Sequence, residues 1–231
     1  MKTYFITGTD TDAGKTFASC ALLHAAGKLG FKTLAHKPVA AGCEPTPDGL
    51  RNSDAINLMS AMNQDEEYEM VNPITLESAI APHLAAQETG VQLSVSRSAG
   101  FARGIMMARA DLLLIEGAGG WRVPLNNRET LADLAKDLKQ PVILVVGMKL
   151  GCINHALLTS EAIKADGLEV AGWIANRVDP EMSHYRENLA TLAQMIQAPL
   201  LAEIPSIQNA CWKDAAEHIP DAAVKFILGT H

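Results

Sequence analysis

The residues with the clearest chemistry are Gly8-Thr9-Asp10-Thr11-Asp12-Ala13-Gly14-Lys15-Thr16, which put two glycines, an ammonium and a hydroxyl into one short stretch. Glycines let backbone N–H groups turn inward around an anion, and the start of a helix adds partial positive charge there. In such a loop Lys15 reaches the terminal phosphates of a nucleotide, and the Thr16 hydroxyl takes one position on Mg2+. Five residues separate Gly8 from Gly14, one more than in the common phosphate-binding loop. An ordinary strand-to-helix turn has the same outline, but the Gly-Lys-Thr ending favours nucleotide binding.

Other candidates lie just past apolar runs. Lys37-Pro38-Val39 follows Thr33–Ala35, and Pro38 biases Lys37 toward extended backbone, so its side chain projects from a strand end. There it could stabilise a transferring phosphoryl group, or be a plain surface lysine. Leu112–Ile115 runs into Glu116-Gly117-Ala118-Gly119-Gly120, an acid at a strand tip where a metal-binding carboxylate is expected. The glycines after it suit close backbone approach to a ligand. Asp54 opens a helical pattern, as a second metal carboxylate or simply as the N-cap. Asn176-Arg177 follows Val170–Ala175, and a carboxamide both donates to and accepts from a purine edge. Ile204-Pro205-Ser206 ends the last strand in a rigid apolar turn suited to a base. Either segment also fits bland loop chemistry. The seven histidines lack metal spacing, and His155 reads as a helix residue on a packed surface.

Elements that position such residues are legible from periodicity. Buried strands are expected at Tyr4–Ile6, Thr33–Ala35, Leu112–Ile115, Val142–Val146, Val170–Ala175 and Leu200–Ile204. Helical patterns cover Lys15–Leu29, Asp54–Met62, Ala99–Ala108, Thr130–Leu138, Ile153–Ala165 and Glu181–Ile196. This alternation predicts an α/β fold, a doubly wound, mostly parallel sheet with helices on both faces. Such sheets bind ligands beyond the carboxyl ends of their strands. Asn63–Val95 is irregular and reads as an insertion or lid, and the tail after Ser206 shows one weak helix and no chemistry.

With 231 residues, 48% hydrophobic and 19% charged, the chain reads as one globular domain over residues 1–231. A net charge of −7 without a basic run argues against nucleic acid or an anionic membrane as partner. No apolar run reaches the roughly 18 residues of a membrane span, and the first strand begins too early for a signal peptide. Cys20, Cys43, Cys152 and Cys211 are scattered and read as reduced thiols of a cytoplasmic protein.

Several motifs together resemble one family. The phosphate loop, Lys37-Pro38-Val39, Leu50-Arg51-Asn52-Ser53-Asp54, Glu116-Gly117-Ala118-Gly119-Gly120-Trp121 and Gly151-Cys152-Ile153-Asn154-His155 are similar to those of dethiobiotin synthetases, over about Phe5 to Pro205. The resemblance implies a P-loop NTPase-like enzyme that closes a cyclic urea from CO2 and 7,8-diaminononanoate at the expense of ATP. A substrate carbamate attacks the γ-phosphate, and the second amine then expels phosphate from the carbamic–phosphoric anhydride.

The resemblance further implies that Asp12, Ala13, Gly14, Lys15, Thr16 and Phe17 wrap the phosphates, with Gly117, Ala118 and Gly119 alongside. Thr16, Asp54 and Glu116 would hold Mg2+, and Lys15 and Lys37 would be the catalytic cations. Thr11 would sit beside the carbamate, Asn176, Arg177, Ile204, Pro205 and Ser206 around adenine, and Gly151 to Asn154 near the substrate carboxylate across a homodimer interface.

Ala41 stands where such enzymes often carry a substrate-contacting hydroxyl, Arg177 where an acid is expected, and Ser206–Ala210 lacks an acid for the ribose. A degenerate paralogue and a switch ATPase of the partitioning type are the alternatives; the latter carries a lysine where this loop has Asp10. A cobyrinic acid synthesis enzyme would need a glutaminase domain that this chain is too short to hold.

Overall fold

Strands this apolar must be covered on both faces, and the structure covers them with two helical layers. The computed structural model describes residues 1–207 and 211–230. In chain order its first elements are β1 (Lys2–Gly8), α1 (Lys15–Lys28), β2 (Thr33–His36), β3 (Val39–Ala40), β4 (Glu44–Thr46), β5 (Gly49–Arg51) and α2 (Ser53–Ala61). Then come α3 (Tyr68–Val71), β6 (Ile74–Thr75), α4 (Pro82–Thr89), α5 (Val95–Ile105), β7 (Leu112–Glu116), α6 (Leu131–Leu138) and β8 (Val142–Gly147). The last are α7 (Cys152–Ala165), β9 (Val170–Asn176), α8 (Tyr185–Met195), β10 (Leu200–Ile204), α9 (Trp212–Ala216) and α10 (Asp221–Leu228).

Six strands form a wholly parallel sheet in the order β10-β9-β8-β1-β7-β2. Alternation along each strand divides the core. Tyr4, Ile6, Leu112, Leu114, Ile143 and Val145 face α1, α2, α9 and α10. Phe5, Leu113, Ile115, Leu144, Val146 and Trp173 face the layer of α4 to α8. Each buried Leu, Ile or Phe stabilises the fold by about 1.5–3 kcal/mol, so neither layer is dispensable. β1 lies between β7 and β8, and the winding reverses around it. The crevice at its carboxyl end is therefore where a doubly wound sheet binds its ligand.

Asn63–Val95, irregular in sequence, holds α3, α4 and β6, and β6 pairs in parallel with β3 through Val39↔Ile74 and Ala40↔Thr75. This pairing folds the segment back over the end of β2. Two sequence expectations are corrected further along the chain. The tail forms two helices instead of one, because Ala215, Ala216, Val224 and Ile227 complete the apolar cover of α1, and Tyr4 Oη donates to the Ile227 carbonyl at 2.6 Å. His155 is exposed on α7, not packed. The Ser206–Ala210 expectation lies partly outside the described residues, which omit 208–210.

Candidate active site

β1 ends at Gly8 and α1 begins at Lys15, so the chemistry-bearing loop occupies the switch point. Gly14 is the N-cap of α1 with φ 81°, a left-handed conformation that only glycine adopts without strain. A side chain there would also have no room, since an added Cβ would lie 2.0 Å from Asn176 Nδ2. Asn176 Nδ2 donates to the Ala13 carbonyl at 3.0 Å, so the end of β9 holds the loop in shape.

Around this loop four side chains converge, Thr16 from α1, Asp54 from α2, Glu116 from β7 and Lys37 from just past β2. Lys37 Nζ contacts Glu116 Oε1 at 2.7 Å and Asp54 Oδ2 at 2.9 Å, and Thr16 Oγ1 donates to Glu116 Oε1 at 2.7 Å. Lys37 is 3% exposed and Glu116 0% exposed. Burial by itself would depress the Lys37 ammonium, but the two carboxylates outweigh it and its pKa is raised. Partial burial works against ionisation of Asp54, yet the Lys37 ammonium holds it below the usual carboxylate range. Lys15, also buried, is pushed down, first by burial and then by the like charge of Lys37. His36, just before Lys37, is wholly buried and pushed down to about 4 by that burial, so it adds no charge.

The position of Lys37 is set by a relay of buried hydrogen bonds. Asn52 N donates to Tyr68 Oη at 2.8 Å, Tyr68 Oη to Asn72 Oδ1 at 2.9 Å, and Asn72 Nδ2 to the Lys37 carbonyl at 2.7 Å. The Asn52 side chain caps α2 by accepting from Asp54 N and Ala55 N. The N-cap is therefore Asn52 and not Asp54, which is the second residue of the helix and turns its carboxylate to Lys37 instead. One relay thus ties the carrier of Asp54 to the backbone of Lys37.

A cavity of about 960 Å³ opens at this point. Thr11, Asp12, Gly14, Lys15, Thr16, Phe17, Lys37, Ala41, Asp54, Ala118 and Gly119 line it. Ala13 and Glu116 lie buried behind the wall, and Gly117 follows, its carbonyl 3.5 Å from Lys37 Nζ. Past the cations, the wall is formed by Ala40 to Gly42, Ala79 to Pro82 and Arg122 to Pro124.

Other expected residues are not on this wall. Arg177 Nη2 donates to the Pro180 carbonyl at 2.7 Å, and its guanidinium lies over the Tyr185 ring. Ile204 is buried, Pro205 half-buried and Ser206 exposed. Gly151 starts α7 with Cys152 buried beneath it, Ile153 half-buried and Asn154 exposed.

Sequence reasoning missed Lys149, whose ammonium contacts Asp10 Oδ2 at 3.0 Å and holds that carboxyl low. It stands just past β8, so the strand-end rule would have found it. Trp212, from the supposedly inert tail, was missed as a cavity residue. Tyr68 and Asn72 gave no signal, since their importance arises only when β6 folds back along β3.

Two carboxylates and a hydroxyl form a hard oxygen set of the kind Mg2+ takes together with nucleotide phosphates. Glu116 Oε2 is buried without a hydrogen-bond partner, an orphan atom that such an ion would satisfy. Among the described residues there is no group of three His, Cys, Asp or Glu that could hold a metal unaided.

A family model described as an AAA domain matches residues 2–213. Among curated proteins, the ATP-dependent dethiobiotin synthetase BioD of Pseudomonas aeruginosa (strain UCBPP-PA14) is 54% identical over 95% of this chain and 96% of its own. The protein of the same name from Cellvibrio japonicus (strain Ueda107) is 56% identical over 94% of this chain and 95% of its own. Among solved structures, the septum site-determining protein MinD of Pyrococcus horikoshii, complexed with Mg-ADP, superposes with a TM-score of 0.55. It is 18% identical and covers 98% of this chain and 93% of that one, a likeness of fold.

Proposed function

The chain belongs to the ATP-dependent dethiobiotin synthetases, and from that premise we propose which of its residues carry the reaction. The enzyme is a ligase that forms dethiobiotin from 7,8-diaminononanoate, CO2 and ATP. One observation carries the assignment of roles: Thr16, Lys37, Asp54 and Glu116 meet beside the loop that starts α1.

In this reading, backbone N–H groups of residues 12–17 and the Lys15 ammonium take the phosphates. Lys15 is already desolvated, so its charge acts at close to full strength once an anion arrives. The substrate carbamate is an anion that must approach a γ-phosphate of the same sign. Lys37 lies between the two and offsets their repulsion, and it acts again as charge spreads in the transition state. Thr11 fixes the carbamate end, and the apolar stretch of residues 79–82 receives the aliphatic chain of the diamine. Ala41 leaves that contact to dispersion where a hydroxyl would add a hydrogen bond. Asn176 and the turn of Ile204 to Ser206, with Arg177 behind, flank the nucleoside.

Thr16, Asp54 and Glu116 would hold Mg2+. When bound it would neutralise the β- and γ-phosphates. The orphan Oε2 of Glu116 supports this assignment.

A homodimer would bring Gly151 to Asn154 of one subunit to the substrate carboxylate of the other. Leu150, 91% exposed beside that helix start, supports such a contact. We read the whole chain as one domain. Among the described residues no helix is long and apolar enough to cross a membrane. The four free cysteines support a cytoplasmic location.

Phosphate release and dethiobiotin formation, measured with ATP, bicarbonate and diaminononanoate, test the reading together. Release should rise on adding the diamine and match product one for one. Release indifferent to the diamine would overturn it.

A further inference from the structure

The cavity has two ends, and the proposed reaction assigns only one. Lys37 and Thr11, with Ala40 to Gly42 and Ala79 to Pro82, fill the end where the carbamate meets the γ-phosphate. In the proposed reading ATP sends its nucleoside away from that end, between Asn176 and the turn of Ile204 to Ser206 on one side and the outer flank of α1 on the other. On that flank the wall continues through Phe17 and Cys20 to Trp212.

Phe17 and Trp212 are the aromatic side chains among the described residues that line the cavity. Trp212 is half-buried and opens α9, the helix that packs beside α1. Its ring meets His24 edge-on, with centroids 5.3 Å apart and planes at 67°. Phe17, Cys20 and His24 lie at successive helical turns, so they form one stripe along α1. At about 1.5 Å per residue, the seven positions from Phe17 to His24 span roughly 10 Å. Trp212, packed on His24, therefore meets α1 within about two turns of the phosphate loop. His24 fixes the plane of the ring, and the Lys213 ammonium, 5.4 Å from its centroid, stays near one side. The Asn176 amide gives one of its two N–H groups to the Ala13 carbonyl, which leaves the other and the amide oxygen for the base.

We propose that Trp212 is the stacking platform for the nucleoside of ATP in this enzyme, and so a residue that sets nucleotide affinity. The proposal rests on the phosphate-loop reading above. Every base has a π face, so a stacking platform strengthens binding without choosing strongly among bases.

The test compares wild type, Trp212→Leu and Trp212→Phe by calorimetric titration with ATP, GTP and inorganic tripolyphosphate. Leucine keeps apolar bulk against α1 but removes the π face, and phenylalanine restores one. Trp212→Leu should weaken ATP and GTP alike by about 30-fold, the middle of what losing one base–aromatic stack costs. Trp212→Phe should stay within about 3-fold of wild type, and tripolyphosphate, which has no base, should bind all three equally. Unchanged ATP affinity in Trp212→Leu overturns the proposal and leaves the phosphate loop intact. Equal loss of ATP and tripolyphosphate also overturns it, since the substitution then acts by disturbing α1. A wild-type protein that binds neither ligand would bring down the phosphate-loop reading itself, and the platform with it.

Discussion

Lys37→Gln is the most revealing perturbation, because one ammonium neutralises two carboxylates. At 2.7 Å and 2.9 Å, with an effective dielectric of about 20, each attraction is roughly 6 kcal/mol before desolvation is subtracted. Breaking a buried pair by removing one partner costs about 3–5 kcal/mol net. The Asp54 side chain is 43% exposed, so water screens its share, and the loss should lie near the lower end, about 3 kcal/mol.

The pH dependence follows from the signs. In wild type the depressed Asp54 adds stability that is complete above its unfolded value and is lost only as pH falls through its folded value. The raised Lys37 adds stability that is complete below its unfolded value and is lost as pH rises through its folded one. Both contributions are therefore present at pH 5 and at pH 7. In the variant, Asp54 loses the ammonium that held its carboxyl low and keeps Glu116 as a neighbour, so Asp54 takes up a proton more readily. The deficit measured by urea unfolding should shrink between about pH 7 and about pH 5. Millimolar Mg2+ should stabilise the variant more than wild type, since the freed oxygens lack a cation. Diamine-stimulated phosphate release should vanish while ATP still binds. A deficit under about 1 kcal/mol, equal at both pH values, would refute the reasoning, because buried carboxylates cannot lose their counter-ion so cheaply.

Lys15→Ala should lower kcat by about two to three orders of magnitude and weaken ATP binding less, since the loop amides remain; steady-state kinetics at saturating ATP checks this. Gly14→Ala forces φ near 81° on a residue with a Cβ and drives that atom into Asn176, so thermal unfolding should show a loss of roughly 1–3 kcal/mol. Adding Asn176→Ala to Gly14→Ala should recover the steric part of that loss but not the backbone strain. Chelation by EDTA should stop phosphate release, and added Mg2+ should restore it. Release that persists in chelator would remove the metal role of Thr16, Asp54 and Glu116.

The sequence by itself determined the central sheet. Six apolar runs bounded by turn residues cannot be exposed on either face, and their alternation with helical patterns leaves few other architectures. It also marked Lys15, Thr16, Lys37, Asp54 and Glu116, because strand ends and helix starts are local features that a chain displays one segment at a time. Which of these side chains touch is a matter of sheet order. Glu116 reaches Thr16 and Lys37 because β7 is inserted between β1 and β2, a neighbourhood no local window encodes. The same holds for the support beneath Lys37. Tyr68 and Asn72 sit in an irregular stretch with no periodicity to read, and they matter only because β6 returns along β3. Trp212 looked inert for a similar reason: its five-residue helix carries too little pattern to be seen. Its place on the cavity wall comes from the long return of the chain onto α1. Hydrophobic periodicity records what each segment must bury. The tertiary structure alone decides against which partner, and so which polar groups are brought within reach of one another.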